Sequence, residues 1–173
     1  MFVPIALIVG AIFIQQGMPM TYQSDYQVTT LEPAAMGTAD NGQPKQQTLI
    51  VGPVAAVIPI KMLGTNGGGF FNANAAHPFE NPTALSNFLQ ILLIFLIPAG
   101  LTNTFGRMVK SELQGWALYS AMSVLFLAGV ATCYWAESQG NPQFQAMGIN
   151  QSIGNMEGKE SRFGVANSAL FAT

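Results

Sequence analysis

The residues of this 173-residue sequence that best suit a chemical role form a segment from Gly64 to Gly69, in which only Thr65 and Asn66 are not glycine. Glycine reaches backbone angles that are closed to other residues, so consecutive carbonyl groups can be turned toward one axis. A ring of such oxygens can replace the water around a weakly hydrated monovalent cation. We call this segment the glycine run, and its composition predicts a cation site built from main-chain oxygens.

Two other interpretations of the glycine run are weaker but stay open. A phosphate-binding loop requires the pattern Gly-x-x-x-x-Gly-Lys-Ser/Thr after a strand, whereas Phe70 follows Gly69 here. A glycine-rich surface turn needs nothing beyond the composition. The apolar segment before the run favours the cation interpretation, because the carboxyl end of a helix carries a partial negative charge.

Side chains with catalytic or metal-binding chemistry are few, and we expect no catalytic group. His77 is the single histidine and has no second ligand nearby in the sequence, so we interpret it as a turn residue. Lys61 would repel a cation in the run, so we expect it to point away, toward Glu80. A membrane-embedded hydrolase is a weak alternative, since its nucleophile would have to be one of four residues: Ser86, Ser120, Ser123 or Cys133. A single cysteine also excludes an internal disulfide.

The overall composition points to lipid as the solvent. Hydrophobic residues make up 50% of the chain and charged residues only 8%, where an ordinary soluble domain has about 25% charged residues. So few charges cannot cover a water-facing surface. The net charge of -2 also argues against a nucleic-acid binder, which needs a clustered basic face.

Two long uncharged stretches predict transmembrane helices. A hydrocarbon core of about 30 Å needs about 20 helical residues, and we place the two helices at Ala84–Phe105 and Trp116–Trp135. Aromatic side chains lie near both ends of the second helix, as is typical of membrane interfaces. The apolar segment Phe2–Ile14 is shorter and lacks the basic start of a signal peptide. We expect it to be the remainder of a spanning helix, in a fragment of a longer chain.

The orientation follows from the basic residues beside the two long helices. Their connection, residues 106–115, carries Arg107 and Lys110, and cytoplasmic loops are enriched in such residues. We therefore expect this connection to be cytoplasmic and residues 18–83 and 136–173 to be external.

The segment 53–74 has the pattern of a loop that enters the membrane and returns to the same side. Pro53 suits the first turn of a helix, and Val54–Leu63 predicts a half-length helix that ends at Gly64. Pro59 inside this helix is expected to kink it or to delay its start. The polar loop 18–52 before it is expected to hold two short strands, Val28–Leu31 and Gln47–Val51.

The residues around the glycine run carry a resemblance to a known family. Gly64–Asn74, followed by Ala76–Thr83, is similar to the second pore loop of the potassium-binding A subunits of Kdp potassium-importing ATPases. The similarity continues through three shorter segments and then through one that resembles the approach to the third pore loop: Phe95–Ala99, Thr104–Met108, Gln114–Leu118 and Arg162–Leu170. It covers essentially the whole chain, but only part of the family's protein.

The resemblance implies an all-α membrane protein whose full chain holds four potassium-channel-like repeats of helix, pore loop and helix. About one and a half repeats would lie in this chain. Residues 1–105 would form the second repeat, with helix 2–14, external loop 18–52, pore loop 53–74 and helix 84–105. Residues 106–115 would be the cytoplasmic connection, and 116–173 the start of the third repeat, with helix 116–135.

The resemblance also implies a function. Potassium would be the transported ion, with no covalent cofactor, and the filter would consist of the backbone carbonyls of Thr65, Asn66, Gly67, Gly68 and Gly69. The implied partners are an ATP-hydrolysing B subunit and the small C and F subunits, in the bacterial inner membrane, so this subunit would not be an enzyme by itself. Two alternatives stay open: a membrane scaffold without an ion path, and another potassium transporter of the same superfamily.

Overall fold

The computed structural model describes residues 2–29, 46–71, 75–148 and 160–173. Within this part of the chain the elements follow in the order α1 (Phe2–Gln15), β1 (Asp25–Thr29), β2 (Gln46–Ile50), α2 (Val54–Leu63), α3 (Ala84–Met108), α4 (Glu112–Ser138), α5 (Pro142–Ala146) and α6 (Glu160–Ala172). The described part of the chain is helical apart from one short hairpin. Parts of two predicted segments, residues 30–31 of the first strand and 72–74 of the pore loop, lie outside the described residues.

The core is formed where α1, α2 and α3 pack together. Phe13 of α1 and Ile58 and Leu63 of α2 are almost completely buried there, and Leu93 comes from α3. Each of these helices also carries apolar side chains outside the core, such as Leu7, Ile60 and Leu92, which are exposed within this chain. The half-helix α2 lies between the other two and is held on both sides.

Among the described residues, two helices are long and apolar enough to cross a bilayer. Mean hydropathy reaches 2.0 in α3 and 1.6 in the stretch Glu112–Ala146, which contains α4. Both helices run beyond the predicted bounds of Ala84–Phe105 and Trp116–Trp135, because Arg, Met, Leu and Glu at their ends are good helix formers. Glu112 also lies in the first turn of α4, where a negative charge suits the helix dipole. The predicted ten-residue connection therefore shortens to residues 109–111.

The half-helix has the predicted bounds, and Pro59 does not delay its start. Pro59 lies inside α2, where its missing N–H leaves the carbonyl of Ala55 without the usual partner. Gly10 of α1 packs at this point: a Cβ on Gly10 would lie 3.1 Å from the Ala55 oxygen and 3.9 Å from Pro59 Cγ. The absence of a side chain at Gly10 lets α1 approach α2 closely there.

The hairpin and the last two helices complete the described fold. β1 and β2 pair antiparallel, with Gln27 opposite Thr48 and their side chains 2.8 Å apart. The predicted second strand, Gln47–Val51, is shifted by one residue, and the first begins three residues earlier than expected. Helices α5 and α6 fall in the region predicted only as an external loop and an approach to a pore loop. A break at Gly164, with φ of 75°, divides α6.

Candidate functional site

The glycine run begins directly at the carboxyl end of α2. The amide of Gly64 donates to the carbonyl of Ile60 at 2.9 Å, and the amide of Thr65 donates to that of Met62 at 3.2 Å. These two bonds close the last turn of the helix. The chain then leaves the helix axis at the point where the dipole places a partial negative charge, which suits a bound cation and disfavours an anion.

The backbone of the glycine run changes handedness from residue to residue. Thr65 has φ of 47° and Gly67 has φ of 73°, whereas Asn66 and Gly68 keep negative values. A β-branched residue such as Thr65 rarely adopts a positive φ, and residues held in such conformations cluster at functional sites. Residues 64–69 are all exposed in this chain, so their peptide groups are available to a ligand or to further parts of a longer chain.

The structure brings some of the predicted filter residues together and leaves others apart. Thr65 and Gly67 line a concave groove, together with Lys61 and Met62 of α2. Ile94 of α3 and Phe171 of α6 also line it. Asn66, Gly68 and Gly69 do not line this groove.

Lys61 points as predicted, toward Glu80. Its Nζ lies 3.8 Å from Glu80 Oε2, and the side chains are 5% and 0% exposed, respectively. Breaking a buried ion pair by removal of one partner is costly, so the two residues depend on each other. The pair also neutralises the one basic charge of α2, which would otherwise oppose a cation at the glycine run.

The residues that follow the glycine run are held by the same carboxylate. Glu80 Oε1 accepts hydrogen bonds from the amides of Phe70 at 2.6 Å and Phe71 at 3.0 Å. Sequence reasoning missed this contact. The available signal was that Glu80 is the only Asp, Glu, Lys or Arg between Lys61 and Arg107, in a stretch that otherwise avoids charge.

The ring of Phe70 fixes the end of the glycine run to the segment that enters α2. A Cβ on Gly52 would lie 2.5 Å from Phe70 Cζ, and Gly52 has φ of 146°. Only glycine satisfies both conditions without strain. The segment that precedes α2 is therefore packed directly against the residue that follows the run.

A buried polar network supports the loop that carries Glu80. The side chain of Gln90 donates to the Glu80 carbonyl at 2.8 Å, and the side chain of Asn81 donates to Asn87 Oδ1 at 2.7 Å. Ser86 Oγ donates to Asn81 Oδ1 and forms a capping box with Thr83 at the start of α3. Ser86, one of the candidate nucleophiles, is thus occupied with capping α3.

Arg162 joins this loop to α6, across more than eighty residues of sequence. Its guanidinium donates to the carbonyls of Asn81 at 2.6 Å and Ala76 at 2.5 Å. From the sequence, Arg162 has no predicted role beyond its place in the resemblance. Its partners are main-chain oxygens, which no pattern of side chains reveals.

His77 behaves as a turn residue within the described part of the chain. Its Nδ1 accepts a hydrogen bond from the amide of Phe79 at 3.1 Å, and its ring stacks on Phe71 with centroids 4.2 Å apart. Burial lowers the pKa of His77, Glu80 opposes that shift, and Arg162 adds to it. The neutral imidazole is the form that can accept at Nδ1.

Residues 1–173 match the family model described as the potassium-transporting ATPase A subunit. Similar proteins include those named potassium-transporting ATPase potassium-binding subunit from Granulibacter bethesdensis and Methylorubrum extorquens, both 57% identical, and from Mesorhizobium japonicum, 53% identical. Each match spans 98% of this chain, but only 27% or 28% of the relative's length.

Proposed function

Because this chain belongs to the potassium-transporting ATPase A subunit family, we propose that it is part of the potassium-binding subunit of an ATP-driven potassium importer. The relatives that share more than half of its residues carry that name. In this proposal the glycine run selects potassium at the external side, and a partner subunit hydrolyses ATP. The partners are the B subunit and the small C and F subunits, in the bacterial inner membrane.

The backbone of Thr65 and Gly67 is the observation that carries this proposal. Both have positive φ in an exposed segment at the negative end of the half-helix α2, and the nearby Lys61 is paired with Glu80. The potassium ligands are the carbonyl oxygens of Thr65, Asn66, Gly67, Gly68 and Gly69. A cation is therefore attracted by the helix dipole and coordinated by main-chain oxygens.

The same proposal assigns the chain's parts. Residues 1–105 form one channel-like repeat, in which α1 and α3 flank the half-helix and the glycine run. Residues 106–115 form a cytoplasmic connection, and residues 116–173 begin the next repeat with α4. Residues 18–83 and 136–173 then face the outside, so the glycine run opens toward the external solution.

Substitution of Gly67 tests the function. A Cβ on Gly67 would meet no atom within 4 Å, but φ is 73°, so Gly67→Ala carries a backbone cost of about 1–2 kcal/mol and no clash. We expect this cost to change the carbonyl arrangement and to raise the half-saturating potassium concentration about 5- to 30-fold. Gly67→Asp should have at least the same effect and should weaken the preference for potassium over sodium.

The assay is potassium-stimulated ATP hydrolysis by the full-length subunit in its assembled complex, with sodium as the competing ion. Gly17→Ala is the matched control, because Gly17 also has positive φ and open space around its Cβ position but lies at the end of α1. Potassium affinity and ion preference that stay unchanged in both Gly67 variants would refute the filter assignment. Hydrolysis without potassium dependence in the unaltered complex would instead favour a scaffold role.

A further inference from the structure

Glu80 is a fully buried carboxylate in a segment without other charged residues. It is 0% exposed and lies in the loop between the glycine run and α3. Burying a carboxylate is costly unless hydrogen bonds and an opposite charge compensate it. Its position therefore has to be explained by what its two oxygens contact.

The two carboxylate oxygens reach the two ends of the glycine run. Oε2 lies 3.8 Å from the Nζ of Lys61, in the last turn of α2 before the run. Oε1 accepts from the amides of Phe70 and Phe71, directly after the run. One side chain thus links the helix that delivers the run to the chain that leaves it.

The main chain of Glu80 is itself fixed. Its carbonyl accepts from the side chain of Gln90 at 2.8 Å, and its amide donates to the carbonyl of His77 at 3.0 Å. Gln90 is buried in α3. The main chain that carries the carboxylate is therefore held by a helix of the core and is not part of a free loop.

The strength of these contacts suits a positioning role. Hydrogen bonds to an ionised group are shorter and about twice as strong as those between neutral groups. Ion selection by main-chain carbonyls depends on the number of oxygens around the ion and on how they are held. Fixing both ends of a six-residue segment restricts how far its carbonyls can spread or close.

We propose that Glu80 is the positioning residue of the potassium filter, which holds the glycine run at the spacing that distinguishes potassium from sodium. This inference rests on the proposed function, since it assigns a role within the same site. Glu80 acts through Phe70, Phe71 and Lys61 and does not contact the ion itself.

Two substitutions test this role in the full-length subunit within the assembled complex. Glu80→Gln keeps the shape and one acceptor oxygen but removes the charge that pairs with Lys61. Glu80→Asp keeps the charge but is one methylene shorter, so it cannot reach both the amides and Lys61. The matched control is Glu112→Gln, because Glu112 is an exposed glutamate in the first turn of α4.

The measurement is ATP hydrolysis as a function of potassium concentration, without sodium and with sodium in excess. For both Glu80 variants we expect the half-saturating potassium concentration to rise about tenfold, which corresponds to about 1.4 kcal/mol, and the preference over sodium to fall. The maximal rate should stay within about twofold, because losing these charged hydrogen bonds is expected to weaken potassium binding and not ATP hydrolysis by the partner subunit. Glu112→Gln should match the unaltered complex in all three quantities.

Several results would overturn the role of Glu80. The role is refuted if a Glu80 variant that assembles keeps the potassium affinity and the ion preference of the unaltered complex. It is also refuted if such a variant has a lower maximal rate but an unchanged potassium affinity. A shift of the same size in Glu112→Gln would also overturn it. These results differ from failure of the proposed function, which would show as hydrolysis without potassium dependence in the unaltered complex.

Discussion

Gly52 packs against the ring of Phe70, and its substitution tests how the glycine run is attached to the rest of the fold. Gly52→Ala has two separate costs. The first is the backbone conformation at φ of 146°, about 1–2 kcal/mol for a residue with a side chain. The second is the new Cβ, which would lie 2.5 Å from Phe70 Cζ and 3.3 Å from Cε1. Forcing extra atoms into such a contact costs about 1–3 kcal/mol.

The chain offers a control that carries the first cost alone. Gly17 has φ of 98°, and a Cβ there would meet nothing within 4 Å. Gly17→Ala should therefore lower the free energy of unfolding by about 1–2 kcal/mol, and Gly52→Ala by about 2–5 kcal/mol. The measurement is unfolding of the full-length subunit in a mild detergent, titrated with a denaturing one.

A double substitution separates the clash from the strain. Leucine at position 70 lacks the distal ring atoms that approach Gly52, so Gly52→Ala should cost about 1–3 kcal/mol less when Phe70→Leu is also present. The backbone cost should remain in both backgrounds. Equal costs of Gly52→Ala with and without Phe70→Leu would refute the reasoning, as would equal effects of Gly52→Ala and Gly17→Ala.

Two further predictions concern the helix pair and the single histidine. A Cβ on Gly115 would lie 2.8 Å from the carbonyl oxygen of Thr102, whereas a Cβ on Gly100 would meet no atom within 4 Å. Gly115→Ala should therefore destabilise the α3–α4 pair by about 1–3 kcal/mol, and Gly100→Ala should not. The same detergent titration measures both effects. The lowered pKa of His77 means that the unfolded chain binds a proton more readily below about pH 6.5. The unfolding free energy should thus fall as the pH drops from about 7.5 to about 5.5. This loss should be smaller in His77→Gln, and an identical pH dependence of the two proteins would contradict it.

Local patterns account for the elements that sequence reasoning located correctly. The half-helix has its predicted bounds because Pro53 and Gly64 limit an apolar stretch from both sides. The start of α3 is equally local, since Thr83 and Ser86 cap each other within one turn. The far end of α3 was misplaced, because loss of apolar character does not end a helix whose next residues are good helix formers.

The contacts that hold the glycine run were only partly accessible to the sequence. Lys61 was predicted to point away from the run, toward Glu80, because it would repel a cation there, and the ion pair confirms this orientation. The hydrogen bonds from Phe70 and Phe71 to Glu80, and from Arg162 to two carbonyls, involve main-chain groups. Main-chain hydrogen-bonding groups occur all along the chain, so the side chains do not show which of these groups form the contacts.

The sequence by itself determined the apolar helices, the half-helix and the glycine run after it, because each depends on the types of neighbouring residues. It also indicated the family, through the residues around the run. Only the tertiary structure decided that one carboxylate holds both ends of the run, that Phe70 closes against Gly52, and that α6 is tied to the same loop. These contacts depend on where distant segments meet when α1, α2 and α3 bury their apolar surfaces together, and that arrangement is a property of the whole fold.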